Sequence, residues 1–266
     1  MKPGVAAVRD AYDASSAAWA AGPERLYAAL AEVLIARSPI DLDGRVTLDI
    51  GSGTGVASRA LQAHGARPIG VDVSLDMLRH DASHRPPAAV ADAMTLPFAD
   101  NSVGGAVYAF CLNHLDEPDV ALREAARVVA PGGVVLASVF SADYDPPEKA
   151  TMEKILTRFG WSRPDWHDKL KDLTEPLLAT PERFAACARA AGLVDVDTIA
   201  TTVESGLDRA ADVVSWRLGM PHTAPFVGAL PSSQRAALTA AAEEAMAVGL
   251  QPVRPRVVLL SSRVAA

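Results

Sequence analysis

Two cysteines, Cys111 and Cys187, stand far apart in a chain of 266 residues, too few for a disulfide framework. Two free thiols in a reducing cytoplasm is the reading they support. Long apolar runs are missing too. Half of the residues are hydrophobic, yet no stretch of about 18 or more uncharged apolar residues occurs, so no membrane span is expected. The beginning, Met1-Lys2-Pro3-Gly4, leads directly into an amphipathic segment with Arg9, Asp10 and Asp13, which is not the pattern of a signal peptide. Blocks of like charge are absent and the net charge is −7, so nothing offers to capture a nucleic acid electrostatically. Metal ligands are scarce. His80 and His84 are one helical turn apart, but no further ligand cluster accompanies them and a zinc site needs three or four, so no metal is expected. No nucleophile elbow, paired-carboxylate motif, internal repeat or low-complexity linker stands out. The length fits one large domain, or a domain with a small addition.

What the chain does have is the stretch Leu48-Asp49-Ile50-Gly51-Ser52-Gly53-Thr54-Gly55. It reads as a buried strand that ends in three closely spaced glycines, followed by a helix carrying Ala57, Ala60 and Leu61. Glycines there let the backbone turn sharply and let a ligand approach main-chain N–H groups. The spacing is G-x-G-x-G. A dinucleotide site wants G-x-G-x-x-G, and Val56 occupies the place of its third glycine, which argues against a nicotinamide oxidoreductase.

Before this stretch, periodicity predicts a helix over 5–20 with Val5, Val8, Tyr12 and Trp19 on one face, then a second from Pro23 with Leu26, Leu30, Val33 and Leu34. Both precede the first strand, so residues 1–40 are a helical brace or part of a lid. Tyr12 either faces a ligand or belongs to the core. After it the rhythm is strand–helix: strands are expected at 46–50, 68–72, 87–91, 105–110 and 134–140, with helices opening near Gly55, Leu75 and Pro118. That alternation means a parallel sheet covered by helices on both faces. Helix 118–129 has acidic residues at its start and a stop at Pro131-Gly132-Gly133. Residues 141–180 break the pattern, with prolines at 146, 147, 164 and 176 beside Tyr144, Trp161, Trp166 and His167. A long insertion beyond the carboxyl ends of the strands is a natural lid, and Trp161 and Trp166 are candidates to face an acceptor. A helix at 181–191, a strand at 194–200, helices near 208–218 and at 232–247 and a strand at 256–263 complete the core, residues 41–140 and 181–266.

LDIGSGTG (48–55), GVDVSLDML (70–78), ADAMTLPFADNSV (91–103), FCLNHLDEP (110–118) and LREAARVVAPGGVVLASV (122–139), in this order, resemble class I S-adenosylmethionine-dependent methyltransferases of the ubiquinone/menaquinone-biosynthesis type. The resemblance is dense from about 45 to 140 and thinner at 181–263. It implies a Rossmann-like, doubly wound α/β fold with a seven-stranded sheet whose last strand is antiparallel. It also implies S-adenosyl-L-methionine as cofactor, with S-adenosyl-L-homocysteine as product.

Residue by residue, the resemblance makes Asp72 the acceptor of both ribose hydroxyls, and an acidic residue suits that task because charge-assisted bonds are the strong ones. Ser74 is the better candidate for capping the helix at Leu75. Gly51 and Gly53 would pass under the methionine portion, with Asp49 holding the loop or the amino group. Val73 and Met77 would adjoin the cofactor, Met77 against the adenine face. Asp92 would accept from the adenine amine while the Ala93 amide donates to the ring, and Phe110 would close the fourth strand near the transferring methyl. His114 stands where this family often has two histidines, here Asn113-His114. It is either a general base for a substrate hydroxyl or a buried structural residue. Gly104-Gly105 departs from the aromatic–acidic pair usual in relatives. Arg67, Arg79 and Arg85 read as a solvated face.

Methyl transfer is an in-line displacement in which the protein chiefly orients and excludes water. The lid's composition favours a neutral or amphipathic small organic acceptor, methylated on O, N or C in natural-product or other secondary metabolism, and no nucleic acid or membrane partner. The alternatives are the same fold with a non-methylating reaction, or a cofactor-binding module without catalysis.

Overall fold

The Val- and Ile-rich runs become strands because a parallel sheet covered on both faces buries every side chain they carry. They are β1 (Val46–Ile50), β2 (Arg67–Asp72), β3 (Ala88–Val90), β4 (Val103–Ala109), β5 (Val129–Phe140), β6 (Val194–Thr202) and β7 (Arg256–Arg263). The computed structural model describes residues 3–266, with side chains from Ala6 onward. Met1, Lys2 and the side chain of Val5 lie outside the described residues. The strands form one sheet in the order β3-β2-β1-β4-β5-β7-β6. Neighbours from β3 to β5 pair parallel, and β7 runs antiparallel to both β5 and β6. This is the seven-stranded Rossmann-like arrangement the family resemblance implies.

Helices precede and cover the sheet: α1 (Pro3–Asp13), α2 (Ser16–Ala21), α3 (Pro23–Ile35), α4 (Val56–Ala63), α5 (Leu75–Arg79) and α6 (Pro118–Val128). They continue as α7 (Pro147–Arg158), α8 (Asp165–Lys169), α9 (Pro181–Ala190), α10 (Ala210–Leu218), α11 (Ala224–Ala229) and α12 (Ser232–Ala247). The period of two along the strands sorts the core into two layers. Val134, Leu136, Val257 and Leu259 join α3, α4, α10 and α12, while Val135, Ala137, Val258 and Leu260 join α6 and α9. Leu122 of α6 and Phe184 of α9 are fully buried, each burial worth about 1.5–3 kcal/mol. No helix among the described residues is long and apolar enough to cross a membrane. Both cysteines are free thiols.

The structure corrects the sequence reading in three places. The helix expected over 5–20 is two, because Ser15 turns the chain: its Oγ donates to the Ala11 and Tyr12 carbonyls at 2.8 and 3.2 Å. Pro131-Gly132-Gly133 does not precede the fifth strand but lies inside it, where the pairing with β4 shifts register between Val103 and Gly105. A Cβ on Gly133 would sit 2.5 Å from Val129 Cγ1, so the irregular opening of this strand depends on glycine. Residues 141–180 are mostly helical rather than irregular. Pro147 starts α7, Pro164 immediately precedes α8, and Met152, Ile155 and Leu156 anchor α7 in the core. A proline at a helix start costs no intrahelical bond, so these prolines punctuate helices instead of preventing them. Helix α11 was not expected.

Between β1 and β4 the strand order reverses direction in sequence, and that switch point opens a crevice at the carboxyl ends of the strands.

Candidate active site

The crevice floor is the turn from β1 into α4. Gly51, Gly53 and Gly55 have φ of +73°, +50° and +90°, left-handed values that explain the run of glycines. At Gly51 there is also no room, since a Cβ would fall 2.6 Å from Cys111 Sγ. The loop is tied from below by Arg85, which donates to the Gly53 carbonyl at 2.8 Å and Ser52 Oγ at 3.0 Å. Arg85 is therefore not part of a solvated face, unlike the exposed Arg67 and Arg79. Asp49 at the strand end is fully buried. Its Oδ2 accepts from Ser58 Oγ at 2.6 Å, and its Oδ1 has no partner among the described residues. Burial pushes its pKa up to about 6 despite the Ser58 bond and the Arg85 charge.

Asp72 closes β2 beside the loop. Its Oδ2 accepts from the Gly53 amide and its Oδ1 from the Ser74 amide, both at 2.8 Å. Each oxygen keeps acceptor capacity. Burial raises its pKa, opposed by those two amides. Ser74 caps α5 by accepting from the Met77 amide at 3.1 Å, and donates to Asp13 of α1 at 2.6 Å. Asp92 Oδ1 accepts from the Met94 amide at 2.9 Å. Phe110 follows β4 with a φ of +58°, rare for a residue with a side chain, a strain of order 1–3 kcal/mol that tends to mark sites.

Opposite the glycine loop, His114 sits at the end of a 3-10 turn (Leu112–His114). Its Nε2 lies 3.1 Å from the Tyr12 hydroxyl, and its buried Nδ1 has no partner among the described residues. Burial, then Lys171, lowers its pKa to about 4, so the imidazole is neutral near pH 7. Whichever tautomer it adopts, the Tyr12 contact uses one ring nitrogen and leaves the other unmet.

One cavity of about 630 Å³ runs along these elements. Of the residues singled out in the sequence, Asp49, Gly51, Gly53, Asp72, Val73, Met77, Asp92, Ala93, Phe110, His114, Tyr12 and Trp166 line it. Trp161 does not. It is 6% exposed within the core cluster, and its Nε1 donates to the His222 carbonyl at 3.0 Å. A buried Trp needs a partner for its N–H, and a backbone carbonyl supplies it, so the expectation that Trp161 meets an acceptor is corrected. Arg85 was misread as solvated, and Lys171, Arg217 and His222 were missed. A single arginine in the otherwise uncharged run Val213–Met220 was the one readable signal for Arg217.

The residues present fit the sulfonium cofactor. A buried carboxylate oxygen unpartnered among the described residues suits its ammonium group, a loop that lacks Cβ atoms at 51 and 53 admits its backbone-hugging tail, and a carboxylate with spare lone pairs suits vicinal hydroxyls.

Residues 48–137 match the family described as "Methyltransferase domain". A demethylmenaquinone methyltransferase of Corynebacterium kroppenstedtii is 36% identical over 115 residues, which cover 43% of this chain and only 50% of that one. The enzyme of the same name from Clavibacter sepedonicus is 31% identical over 205 residues, 71% of this chain and 80% of its own length. Among solved structures, the complex between the Haloferax volcanii Trm112 methyltransferase activator and a methyltransferase aligns with a TM-score of 0.59 at 23% identity, covering 97% of this chain and 98% of that one, a likeness of fold. With the five motifs, the seven-stranded sheet and a relative matched over most of its length, the chain belongs to the class I S-adenosylmethionine-dependent methyltransferases of the ubiquinone/menaquinone type.

Proposed function

We propose that the protein transfers the methyl group of S-adenosylmethionine to a small cyclic acceptor through an oxygen, nitrogen or carbon nucleophile. The observation that carries this is the single cavity joining Asp49, Asp72 and the glycine loop to Tyr12 and His114. When bound, the cofactor supplies the activated methyl group. Asp72 accepts the ribose hydroxyls while keeping the Gly53 amide in place, and Asp49 Oδ1 faces the ammonium group. Asp92 and the Ala93 amide receive the adenine edge, Met77 packs on its face, and Val73 flanks it.

His114, neutral at ordinary pH, accepts a proton from the acceptor at Nδ1, the ring nitrogen left free by the Tyr12 contact at Nε2. Tyr12 fixes the ring's orientation. Burial holds the phenol well above its usual pKa, so it stays protonated. Trp166 and the segment 141–180, together with residues 1–40, cover the acceptor end and exclude water. The relatives are named for demethylmenaquinone, and a hydroxylated ring is within the same chemistry. Secondary metabolism in the cytoplasm remains the setting the sequence favours.

The test is product mass. Protein incubated with S-adenosylmethionine and a panel of hydroxylated ring compounds should return an acceptor heavier by one methylene. A transformed acceptor of unchanged mass would point to a non-methylating reaction on the same scaffold. Tight S-adenosylhomocysteine binding with no acceptor turned over or bound would leave a cofactor-binding module.

A further inference from the structure

Beyond the aromatic side chains near Phe110, the cavity holds a polar cluster that the reading above leaves idle. Arg217, in the last turn of α10, lines the cavity, and its buried Nε has no partner. Among the described residues no hydrogen bond or ion pair reaches its guanidinium, and the Trp216 ring lies 5.1 Å from Cζ. The other cations lining the cavity each have a partner. Lys171 pairs with Glu175 at 2.7 Å, Lys149 lies 3.8 Å from Asp145, and Arg183 donates to the Pro176 carbonyl at 2.7 Å. Two more buried polar atoms close to Arg217 are also unpartnered, Tyr144 Oη and Glu148 Oε1. Burial raises the Glu148 pKa, opposed by its own backbone amide and then by the Arg217 charge.

An unpaired guanidinium beside low-dielectric walls is costly unless an anion meets it. The route to it is aromatic. Phe110 lies 4.7 Å from Phe140 between ring centroids, and Phe140 stacks on Tyr144 at 5.7 Å and 19°. Tyr144 in turn neighbours Arg217. We infer that Arg217, with Tyr144, is the recognition site for a carboxylate on a planar aromatic acceptor, whose ring lies along Phe140 and whose nucleophile points back toward Phe110 and His114. This deepens, and rests on, the methyl-transfer reading. It replaces the expectation of a neutral acceptor, because a neutral molecule would leave the guanidinium without an ion-pair partner, Glu148 and Glu153 acting on it only at longer range. Arginine suits the task because its planar fork matches a carboxylate in a way a point charge does not.

Calorimetry on protein saturated with S-adenosylhomocysteine tests it, using one- and two-ring hydroxylated aromatic acids such as 3,4-dihydroxybenzoate against their methyl esters. Acids should bind about tenfold or more tighter than the matching esters, the value of one charge-assisted bond. Arg217→Met should erase that preference, and Arg217→Lys should retain part of it. Glu148→Gln, which removes the nearby competing carboxylate, should bind the acids at least as tightly as wild type. Unchanged S-adenosylhomocysteine affinity in all three variants shows that the fold is intact. Esters equal to acids, no panel member bound in either form, or an acid preference that survives Arg217→Met would overturn the inference. A protein that binds the acids through Arg217 but not S-adenosylhomocysteine would instead sink the methyl-transfer reading and leave the carboxylate site standing.

Discussion

Asp49 is a carboxylate placed where it costs stability, and replacing it with asparagine should separate stability from cofactor binding. The side chain is fully buried, and burial raises its pKa from 3.8 to about 6. A rise of about two units corresponds to about 3 kcal/mol of penalty for carrying the charge in the folded chain. The unfolded chain ionises Asp49 near 4, whereas the folded chain keeps the proton until about 6. Between those values the folded state binds more protons, so stability falls as pH rises through the window. The penalty is absent below about pH 4 and complete above about pH 6.

Asp49→Asn removes the charge while its amide oxygen can still accept from Ser58 Oγ, so the free protein should gain about 1–3 kcal/mol at pH 8. At about 2–4 °C per kcal/mol, differential scanning calorimetry should register several degrees. The gain should shrink toward nothing at pH 4. The same variant should bind S-adenosylhomocysteine about tenfold to a hundredfold more weakly, because the ammonium group loses its carboxylate. Equal melting temperatures at pH 8, or wild-type cofactor affinity, would refute the assignment of Asp49 to the ammonium.

Three further outcomes are expected. Asp72→Ala should weaken cofactor binding by about 1–3 kcal/mol in a calorimetric titration, and Gly53→Val should abolish it, since φ is +50° and a Cβ already meets Met77 Cε at 3.2 Å. With saturating cofactor, His114 should add no limb to the rate profile near pH 6.5, because its pKa is about 4; a limb at 6.5 that vanishes in His114→Gln would contradict the buried, neutral imidazole. Trp166→Ala should raise KM for the acceptor with little change in cofactor affinity, whereas Trp161→Ala should cost about 3–5 kcal/mol of stability, read by urea titration, through its lost packing and orphaned His222 carbonyl.

The cofactor half of the site was legible because its chemistry sits in contiguous motifs. Asp49, Gly51, Gly53 and Asp72 are strand-end residues whose place follows from two short strands and their turns. The acceptor half was not. Arg217 and His222 reach the cavity from α10 and the loop after it, about 100 residues beyond His114, and nothing local relates them to Tyr144. Trp161 and Trp166 looked alike in sequence, yet one side chain found a carbonyl in the core and the other the cavity wall. Arg85 follows two exposed-looking histidines, and only the fold brings it under the glycine loop. Prolines at 147 and 164 misled for a different reason: the same residue that breaks a helix interior is favoured at a helix start.

The helices ahead of β1 link the two halves. Asp13 of α1 accepts from Ser74 Oγ at 2.6 Å and from the Asp76 amide at 3.2 Å, and Ser74 in turn donates its amide to Asp72. Glu24 of α3 accepts from Thr54 Oγ1 at 2.7 Å in the glycine loop and also pairs with Arg59. Immediately before Asp13 in α1, Tyr12 touches His114. Each tie joins a residue on the glycine loop or the β2–α5 turn to α1 or α3, and α1 also carries the Tyr12 phenol. A ligand that draws on Asp72 therefore acts on the element that orients His114, through a chain of direct hydrogen bonds. Asp13→Ala cuts that chain without touching either ligand. If the ties couple the sites, S-adenosylhomocysteine should raise acceptor affinity in the wild type and do so less in this variant, by the same factor in either order of addition. Equal enhancement in both proteins would make α1 a passive wall.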